Sequence, residues 1–298
     1  MFCIKHIVPN IKIFPSRFHY YGNFLKSFST STGNDVVIEK LSDKHKGVTV
    51  FGINRPEVKN AIGANFLKEF EDGLNSVRHD KDTRVVVLRS LVPGVFCAGA
   101  DLKERAKMRA EDVGPFVAKA RAFITDLEAL PVPVIVALDG GAFGGGLEIA
   151  LACDLRIAAD SAKLGLVETR LAIIPGAGGT QRLPRLIGVA RAKELIYTAA
   201  TINGKEAFDI GLVNSCVTQN ENGDAAYHKA LEMASKILPN GPIGVKMAKV
   251  AISKGAEVDI NTGLSIEEAC YAQVIPTKDR LEGLAAFKEK RKPVYKGE

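Results

Sequence analysis

A run of three glycines, then a leucine and a glutamate, is a segment of this sequence that could carry chemistry. It spans residues 144–148 (GGGLE), follows a predicted strand and loop, and precedes the apolar run at residues 149–152 (IALA). The first N–H groups of a helix lack internal partners and lie at its positive end, so they suit an anion or a developing oxyanion. The segment therefore predicts a helix start with Glu148 beside an oxyanion site. A glycine-rich turn with an ordinary N-terminal glutamate explains the same residues equally well.

A second carboxylate, Glu168, closes the apolar run at residues 163–168 (KLGLVE). Burial makes the ionised form of a carboxyl group costly, which raises its pKa and lets it hold or pass a proton near neutral pH. Glu168 is therefore a candidate acid or base. A surface glutamate balanced by Arg170 is the alternative, and this segment taken alone favours that alternative.

Small residues also stand at the end of a predicted strand in residues 96–103 (FCAGADLK). Glycine there allows another chain or a ligand to approach the backbone closely. Asp101, however, precedes a charged segment that holds Lys103, Glu104 and Arg105, and aspartate is a preferred N-cap residue. Taken alone, this segment favours a helix cap over a functional site.

Several other kinds of site do not fit this sequence. The five cysteines are odd in number, lie far apart and form no CxxC pair, which indicates reduced thiols. The histidines do not pair with them at zinc-site spacing, so we expect no metal. No Lys-Ser/Thr pair follows GGGLE as in a P-loop, no GxSxG elbow occurs, and residues 176–181 (GAGGTQ) lack the third glycine of a dinucleotide fingerprint. The cysteines are Cys3, Cys97, Cys153, Cys216 and Cys270.

Strand and helix patterns alternate along the chain up to about residue 217. Buried-strand runs such as residues 84–89 (RVVVLR) and 133–138 (PVIVAL) are separated by helical segments such as residues 111–130. This alternation favours a layered α/β core with at least partly parallel strands. From about residue 222 only amphipathic helical patterns remain. The sequence therefore predicts a core at residues 34–221 and a helical C-terminal subdomain at residues 222–298.

The first 33 residues differ in composition from the rest of the chain. They contain four Lys or Arg residues, no acidic residue, and a hydroxyl-rich end at residues 27–32 (SFSTST). This composition is typical of a mitochondrial transit peptide, with an unstructured basic tail as the alternative, so we expect a location in the mitochondrial matrix. Without those four cations the formal charge of the chain falls from +6 to +2. A charge this close to zero does not indicate nucleic-acid binding. No apolar run approaches the roughly 18 residues of a membrane span.

The order and spacing of the candidate segments carry more information than any one of them. Residues 98–101 (AGAD), 144–148 (GGGLE), 165–168 (GLVE) and 175–184 (PGAGGTQRLP) together resemble the crotonase (enoyl-CoA hydratase) superfamily. The resemblance runs from about residue 36 to the C-terminus. It implies an α/β fold with a spiral core of ββα turns and a C-terminal helical trimerisation subdomain. It also implies a hexamer built as a dimer of trimers.

Within the superfamily, three stretches look most like the enzymes that hydrate 3-methylglutaconyl-CoA in leucine degradation: residues 99–108, 165–175 and 267–291. This resemblance implies a hydratase that adds water across the double bond of an α,β-unsaturated acyl-CoA. It implies no metal or redox cofactor, since coenzyme A is part of the substrate. The alternatives are a short- or medium-chain enoyl-CoA hydratase, or an isomerase, decarboxylase or thioester hydrolase on the same fold. Glutamates at both hydratase positions favour hydration.

The motif match also implies roles for individual residues. By this match Glu148 activates water, Glu168 protonates the α-carbon, and the N–H groups of Ala98 and Gly145 form the oxyanion hole. Phe287 and Lys290 match C-terminal residues that reach the coenzyme A of a neighbouring subunit. The residues that match the coenzyme A site of the same subunit are Ala100, Asp101, Leu102 and Lys103.

Two further residues bear on the choice of acyl group. A methylglutaconyl group ends in a carboxylate, and Arg105 is our candidate partner for it, because it falls on the helix that begins at Asp101. A solvated arginine that offsets Glu104 or Glu111 is the alternative. Phe143 stands where a smaller or aliphatic residue is usual in the superfamily, so we expect it to narrow the acyl pocket.

RNA binding is a non-enzymatic hypothesis, because the resembled enzymes are also described as binding AU-rich RNA through a lysine-rich helix. In this chain, residues 59–84 carry five cations and five anions, a net charge of zero. Such a balance is typical of a solvated helix face rather than of an RNA-binding surface. We therefore expect RNA binding to be absent or weak and indifferent to sequence.

Overall fold

Ten strands in two sheets and eleven α-helices make up residues 34–298, the part of the chain that this computed structural model describes. The predicted transit peptide, residues 1–33, lies outside the described residues. The strands of the larger sheet, numbered in chain order and given in spatial order, are β1 (Val36–Lys40), β2 (Val48–Ile53), β3 (Val85–Ser90), β5 (Val134–Leu138), β7 (Leu155–Ala159) and β10 (Ser215–Val217). Those of the smaller sheet are β4 (Val95–Cys97), β6 (Gly141–Phe143), β8 (Lys163–Gly165) and β9 (Ile202–Asn203).

Most strand pairs are parallel, with an antiparallel pair at one edge of each sheet. Strand β1 pairs antiparallel with β2, and β9 pairs antiparallel with β8, while the remaining neighbours are parallel. Parallel neighbours need crossover connections, and most of these contain helices. The predicted α/β architecture with partly parallel strands is therefore confirmed. The helices are α1 (Ala64–Arg78), α2 (Leu102–Arg105), α3 (Ala110–Glu128), α4 (Gly145–Ala152), α5 (Gly179–Ile187), α6 (Val189–Thr198), α7 (Gly204–Asp209), α8 (Ala225–Ile237), α9 (Pro242–Gly255), α10 (Ile260–Val274) and α11 (Lys278–Glu289).

The larger sheet is buried on both faces, which explains why its central strands are almost continuously apolar. Because successive side chains of a strand point to opposite faces, Val86 and Leu88 of β3 enter the main core. Val85 and Val87 face the other side and pack in a second cluster beneath α8. Helix α8 lies close to the sheet because it presents alanines: Ala226, Ala230 and Ala234.

A cluster of four phenylalanines fixes the two helices that border the site. Phe66 and Phe70, one turn apart on α1, have ring centroids 5.5 Å apart, and Phe70 lies 5.4 Å from Phe51 and 4.9 Å from Phe123 of α3. All four side chains are buried. Truncating such a ring to alanine typically costs about 3–5 kcal/mol. We expect such a change to loosen α1 and α3 together.

The C-terminal helices carry an apolar surface that faces solvent in the single chain. Helices α9 and α10 pack against each other, and Lys249 of α9 is joined to the core by a hydrogen bond to the carbonyl of Val132 and an ion pair with Asp154. None of the helices in residues 34–298 is both long and apolar enough to cross a membrane. Large apolar side chains that are exposed on α9, α10 and α11 are Ile252, Ile260, Leu264, Tyr271, Leu281, Leu284 and Phe287.

Candidate active site

Three neighbouring parallel strands of the smaller sheet end at one cavity. Strand β4 is followed by residues 98–101, β6 by residues 144–148, and β8 by the turn that begins at Glu168. The carboxyl ends of parallel strands meet at one edge of a sheet, so segments far apart in sequence come together there. The cavity has a volume of about 570 Å³. Its apolar walls include Ile62, Leu67, Phe116, Val117, Ile124, Leu171 and Ile174.

Glycines let the first two segments come into backbone contact. Gly99 has a φ of +96°, and a Cβ on it would lie 2.9 Å from the carbonyl oxygen of Phe143 and 3.5 Å from the nitrogen of Gly145. A Cβ on Gly145 would in turn lie 3.9 Å from the nitrogen of Ala100. The backbones at Ala100 and Gly145 are therefore neighbours at the cavity. Among residues 34–298, no backbone acceptor takes the N–H of either residue.

The N–H of Ala98 is engaged elsewhere. It donates to the carbonyl oxygen of Lys59 at 3.1 Å, a bond that ties the end of β4 to a segment far upstream. A substrate oxygen would have to break that bond before it could use this donor. The two N–H groups at the cavity without a backbone partner are therefore those of Gly145 and Ala100. Gly145 was expected as a donor, whereas the motif match implied that Ala100 contacts coenzyme A.

Glu148 lies in the first turn of α4, as predicted, and only 3% of it is exposed. Its Oε1 accepts hydrogen bonds from the N–H groups of Ala177 at 2.8 Å and Gly179 at 2.7 Å. Burial raises the pKa of Glu148, whereas these two hydrogen bonds and the charges of Arg182 and Arg121 act to lower it. Burial is the largest of these effects and the pKa of Glu148 stays raised, but the hydrogen bonds and the arginine charges offset part of the cost of burying the ionised carboxylate.

Glu168 has the opposite kind of environment. It begins a short 3-10 turn after β8, and its Oε2 is buried without a hydrogen-bond partner among the described residues. Burial is the main cause that raises the pKa of Glu168 to about 7, and the nearby charge of Glu148 adds to it. Arg170, its expected surface partner, donates instead to the carbonyl of Ala199 at 2.6 Å. The structure therefore favours a buried proton-holding carboxyl over a surface ion pair.

Gly144 brings the start of α4 against the second carboxylate. Its N–H donates to the carbonyl oxygen of Gly165 at 2.9 Å, and its φ is +51°, in the left-handed region that favours glycine. A Cβ on Gly144 would lie 3.1 Å from Oε1 of Glu168. Since Glu148 and Glu168 both border the cavity, one bound molecule can contact both carboxyl groups.

Arg105 is a half-buried cation at the wall of the cavity. Neither Glu104 nor Glu111 pairs with it. Glu104 accepts the N–H of Ala64, with distances of 3.2 and 3.3 Å to its two oxygens, and Glu111 pairs with Arg109 at 2.7 Å. Arg105 itself forms no ion pair within residues 34–298. Its charge is therefore available to a ligand in the cavity.

The residues matched to coenzyme A divide into two groups. Asp101 caps α2, because its Oδ1 accepts the N–H groups of Lys103 and the next residue at 3.1 Å each. Leu102 borders the cavity with 53% of it exposed, and Lys103 is exposed beside it. Phe287 is 87% exposed, and neither it nor Lys290 borders this cavity of its own chain.

Phe143 does not border the cavity. Its ring lies over Gly141 of the same strand, where a Cβ would come within 2.6 Å of the ring atom Cε2. The expected narrowing of the acyl pocket by this ring is therefore not observed. The ring of Phe143 fits there because Gly141 has no side chain.

Sequence reasoning missed the groups that hold Glu148. In the sequence, the glycines at residues 176–179 contribute to the family resemblance, but nothing there links them to Glu148. In the structure this loop supplies the N–H groups of Ala177 and Gly179 to the carboxylate. A Cβ on Gly179 would lie 3.0 Å from Oε1 of Glu148. A glycine at this position therefore lets the carboxylate come close to the backbone.

Together these groups suit the addition of water to a polarised double bond. Two N–H donors can stabilise an oxyanion, and two neighbouring carboxyl groups can take and give protons. No group of three or more His, Cys, Asp or Glu side chains in residues 34–298 is arranged to hold a metal ion.

Comparison with known proteins finds relatives over most of the chain. Residues 43–298 match the family model of enoyl-CoA hydratase/isomerase. The chain is 58% identical to human mitochondrial methylglutaconyl-CoA hydratase over 91% of its own length and 80% of that protein. It is 54% identical to the mouse mitochondrial enoyl-CoA hydratase domain-containing protein 2, over 91% of the chain and 92% of that protein.

A solved structure leads to the same family. The fold superposes on the crystal structure of the enoyl-CoA hydratase from Bacillus anthracis with a TM-score of 0.84 and 51% sequence identity. That comparison covers 89% of this chain and all of the bacterial one. The resemblance first seen in four short motifs is confirmed along most of the chain, which belongs to the enoyl-CoA hydratase/isomerase family of the crotonase superfamily.

Proposed function

We propose that this protein hydrates an α,β-unsaturated acyl-CoA, and that its preferred substrate is 3-methylglutaconyl-CoA, which becomes 3-hydroxy-3-methylglutaryl-CoA in leucine degradation. The observation that carries this proposal is the pair of glutamates at one cavity with opposite surroundings. Hydration needs one group that takes a proton from water and another that gives a proton to carbon. The names of the human and mouse relatives support the reaction, and that of the human relative supports the acyl group.

The thioester carbonyl is proposed to bind between the N–H groups of Ala100 and Gly145. Charge builds up on this oxygen as water adds to the β-carbon, so two fixed donors lower the barrier. Loss of one such donor typically costs about 3–4 kcal/mol of transition-state stabilisation. Ala100 replaces Ala98 in this proposal, because the N–H of Ala98 is already bonded to Lys59.

The two carboxyl groups then divide the proton transfers. Ionised Glu148 accepts a proton from water while the water oxygen bonds to the β-carbon, and protonated Glu168 donates its proton to the α-carbon. The N–H groups on Glu148 support its ionised form, and a pKa of about 7 keeps a substantial part of Glu168 protonated near neutral pH. The addition is redox-neutral, so it needs no redox cofactor, and coenzyme A enters only with the substrate.

Arg105 is proposed to bind the terminal carboxylate that distinguishes 3-methylglutaconyl-CoA from crotonyl-CoA. It offers an unpaired charge at a largely apolar wall, where a charge-assisted hydrogen bond is worth roughly 1.5–3 kcal/mol. Ala100, Asp101, Leu102 and Lys103 are proposed to lie along the coenzyme A moiety near the same wall.

Steady-state hydration of both substrates by the purified protein tests the proposed function. We expect wild-type protein to prefer 3-methylglutaconyl-CoA. Arg105→Met should lower kcat/KM about tenfold or more for that substrate and hardly at all for crotonyl-CoA. Lys107→Met removes an exposed charge nearby and should change neither value. Equal losses on both substrates would assign Arg105 to structure or coenzyme A binding, and no hydration of either substrate would refute the proposed function.

The helical C-terminus is proposed to be an oligomerisation subdomain in a hexamer built as a dimer of trimers. The exposed apolar side chains of α9, α10 and α11 support this, because a surface of this kind is usually covered by a partner. In such an assembly Phe287 and Lys290 would reach the coenzyme A of a neighbouring subunit. The names of the relatives support a mitochondrial location, and we propose the matrix as the compartment.

Removal of the last helix tests this assembly. Deletion of the residues after Pro276 removes α11, so the oligomer and the affinity for coenzyme A should be lost together. Analytical ultracentrifugation and a coenzyme A titration measure the two effects on one sample. A truncated monomer that binds coenzyme A with normal affinity would contradict the proposal.

A further inference from the structure

A single peptide group connects an arginine to the proposed base. The N–H of Ala177 donates to Oε1 of Glu148 at 2.8 Å. The carbonyl oxygen of the same peptide belongs to Gly176, and it accepts two hydrogen bonds from Arg121 of α3, from Nε at 3.0 Å and from Nη2 at 2.9 Å. Guanidinium, peptide and carboxylate therefore form one continuous chain of hydrogen bonds. In such a chain each bond polarises the next, so a cation at the carbonyl strengthens the N–H donor at the other end.

A second arginine holds the next carbonyl of the same loop. Nη1 of Arg182 donates to the carbonyl oxygen of Ala177 at 3.2 Å, and its Nη2 pairs with Glu128 at 2.6 Å. Its side chain is only 17% exposed. Gly178 has a φ of +114°, and a Cβ there would overlap Nη1 of Arg182, so the loop depends on glycine to admit the guanidinium. Two consecutive carbonyl groups are thus fixed by cations from two different helices.

Both arginine charges also act on Glu148 through space. Burial raises the pKa of Glu148, whereas the charges of Arg182 and Arg121 lower it. Glu168 lies in the turn after β8, and the charge of Glu148 raises the pKa of Glu168. Part of the charge of Arg182 is offset by Glu128. Arg121 has no such acidic partner among residues 34–298, so its charge is the less compensated of the two.

We propose that Arg121 is a positioning residue for Glu148, acting through the Gly176–Ala177 peptide to orient the carboxylate and to keep it ionised. The inference rests on the proposed hydration. Arg121 does not need to touch the substrate for this role, although it also borders the cavity. A direct contact with the acyl carboxylate is therefore the competing role that the experiment must separate.

Three variants separate these roles. Arg121→Met removes both the charge and the hydrogen bonds to Gly176, and Arg121→Lys keeps the charge. Arg185→Met is the matched control, because Arg185 lies one turn after Arg182 on α5 but pairs with Glu257 at 3.3 Å and does not reach the loop. The measurements are kcat and KM for crotonyl-CoA and 3-methylglutaconyl-CoA across pH, and amide hydrogen exchange of Ala177 and Gly179 in the free protein.

Arg121→Met should lower kcat about tenfold on both substrates with little change in KM, because the base is displaced while binding is kept. Loss of the cation raises the pKa of Glu148, so the acidic limb of kcat should move to higher pH by roughly half a unit or more. Arg121→Lys, which keeps the charge, should have a smaller loss of kcat and a smaller shift of the acidic limb than Arg121→Met. Arg185→Met should behave like the wild type.

If Arg121→Met only raises KM, and only for 3-methylglutaconyl-CoA, Arg121 binds the substrate directly and the proposal is wrong. If kcat and its pH profile are unchanged on both substrates, the proposal is also wrong. Amide exchange keeps the test independent of the proposed function. If the wild type hydrates neither substrate, the proposed function fails, but Arg121→Met should still speed exchange at Ala177. Unchanged exchange there would overturn the positioning role.

Discussion

Glu148 and Glu168 are the same type of side chain at the same cavity, but the chain surrounds them in opposite ways. Glu148, in the first turn of a helix, is held by two N–H groups of a loop that two arginines fix. Glu168, in a short turn after a strand, has a buried oxygen without a partner among the described residues. Burial raises both pKa values, that of Glu168 to about 7, whereas two N–H groups and two arginine charges oppose the rise at Glu148. The comparison teaches that neighbouring N–H groups and charges, rather than residue type, divide the roles of acid and base.

The largest test of this comparison replaces each carboxyl group by an amide of the same shape. Glu148→Gln and Glu168→Gln should each lower kcat at least about a hundredfold, the scale of lost general acid–base catalysis. Circular dichroism should remain unchanged, since the amide oxygen introduced by Glu148→Gln can still accept both N–H groups. Turnover close to that of the wild type in either variant would remove that residue from the mechanism.

A smaller test uses pH to tell the two groups apart. If Glu168 must carry a proton, kcat/KM should fall as pH rises through about 7, where that carboxyl ionises, by about tenfold per pH unit above it. The acidic limb belongs to Glu148 instead, because protonation removes its ability to accept a proton. Steady-state kcat/KM between about pH 5 and about pH 9 measures both limbs. A flat profile on the alkaline side would contradict the assignment of Glu168 as the acid.

The smallest expected effect concerns stability. The folded-state pKa of Glu168 lies above its ordinary value of 4.5, so the folded state binds more protons than the unfolded state between these values. Stability therefore declines as pH rises from 4.5 through about 7, and the full penalty is present above it. Glu168→Gln should raise Tm by about 2–4 °C near pH ~8 and by less near pH ~5. Glu148→Gln should show a smaller gain, because it also weakens two satisfied hydrogen bonds; equal gains in the two variants would contradict the comparison.

Long periodic elements of the fold were predictable from the sequence. The helix expected at residues 111–130 is found as α3 (Ala110–Glu128), and the strand expected at residues 133–138 is found as β5 (Val134–Leu138). The helix repeats its period over several turns, and the strand is a short apolar run next to prolines, so both can be recognised. The strands of the smaller sheet have only two or three residues each, which is too few to show a period, although they position the site.

The site was predictable where the side chain itself carries the chemistry. Glu148 and Glu168 were both selected from the sequence, and both border the cavity. Backbone donors are harder to identify, because their availability depends on what else they bond. Ala98 and Ala100 look alike in the sequence, and only the carbonyl of Lys59, far upstream, distinguishes the occupied N–H from the open one.

The donors at Ala100 and Gly145 belong to the main chain, so the half of the site that would polarise a thioester is encoded by the path of the backbone. Nearby side-chain substitutions should leave these N–H groups in place, provided that Gly99 and Gly145, where the two backbone segments touch, are kept. The proton-transferring half is encoded by two replaceable side chains. A descendant of this chain could therefore exchange one carboxyl group, lose hydration, and still activate a thioester for another reaction. New reactions on this fold would begin with a substitution of Glu148 or Glu168, while the N–H groups of Ala100 and Gly145 would stay unchanged.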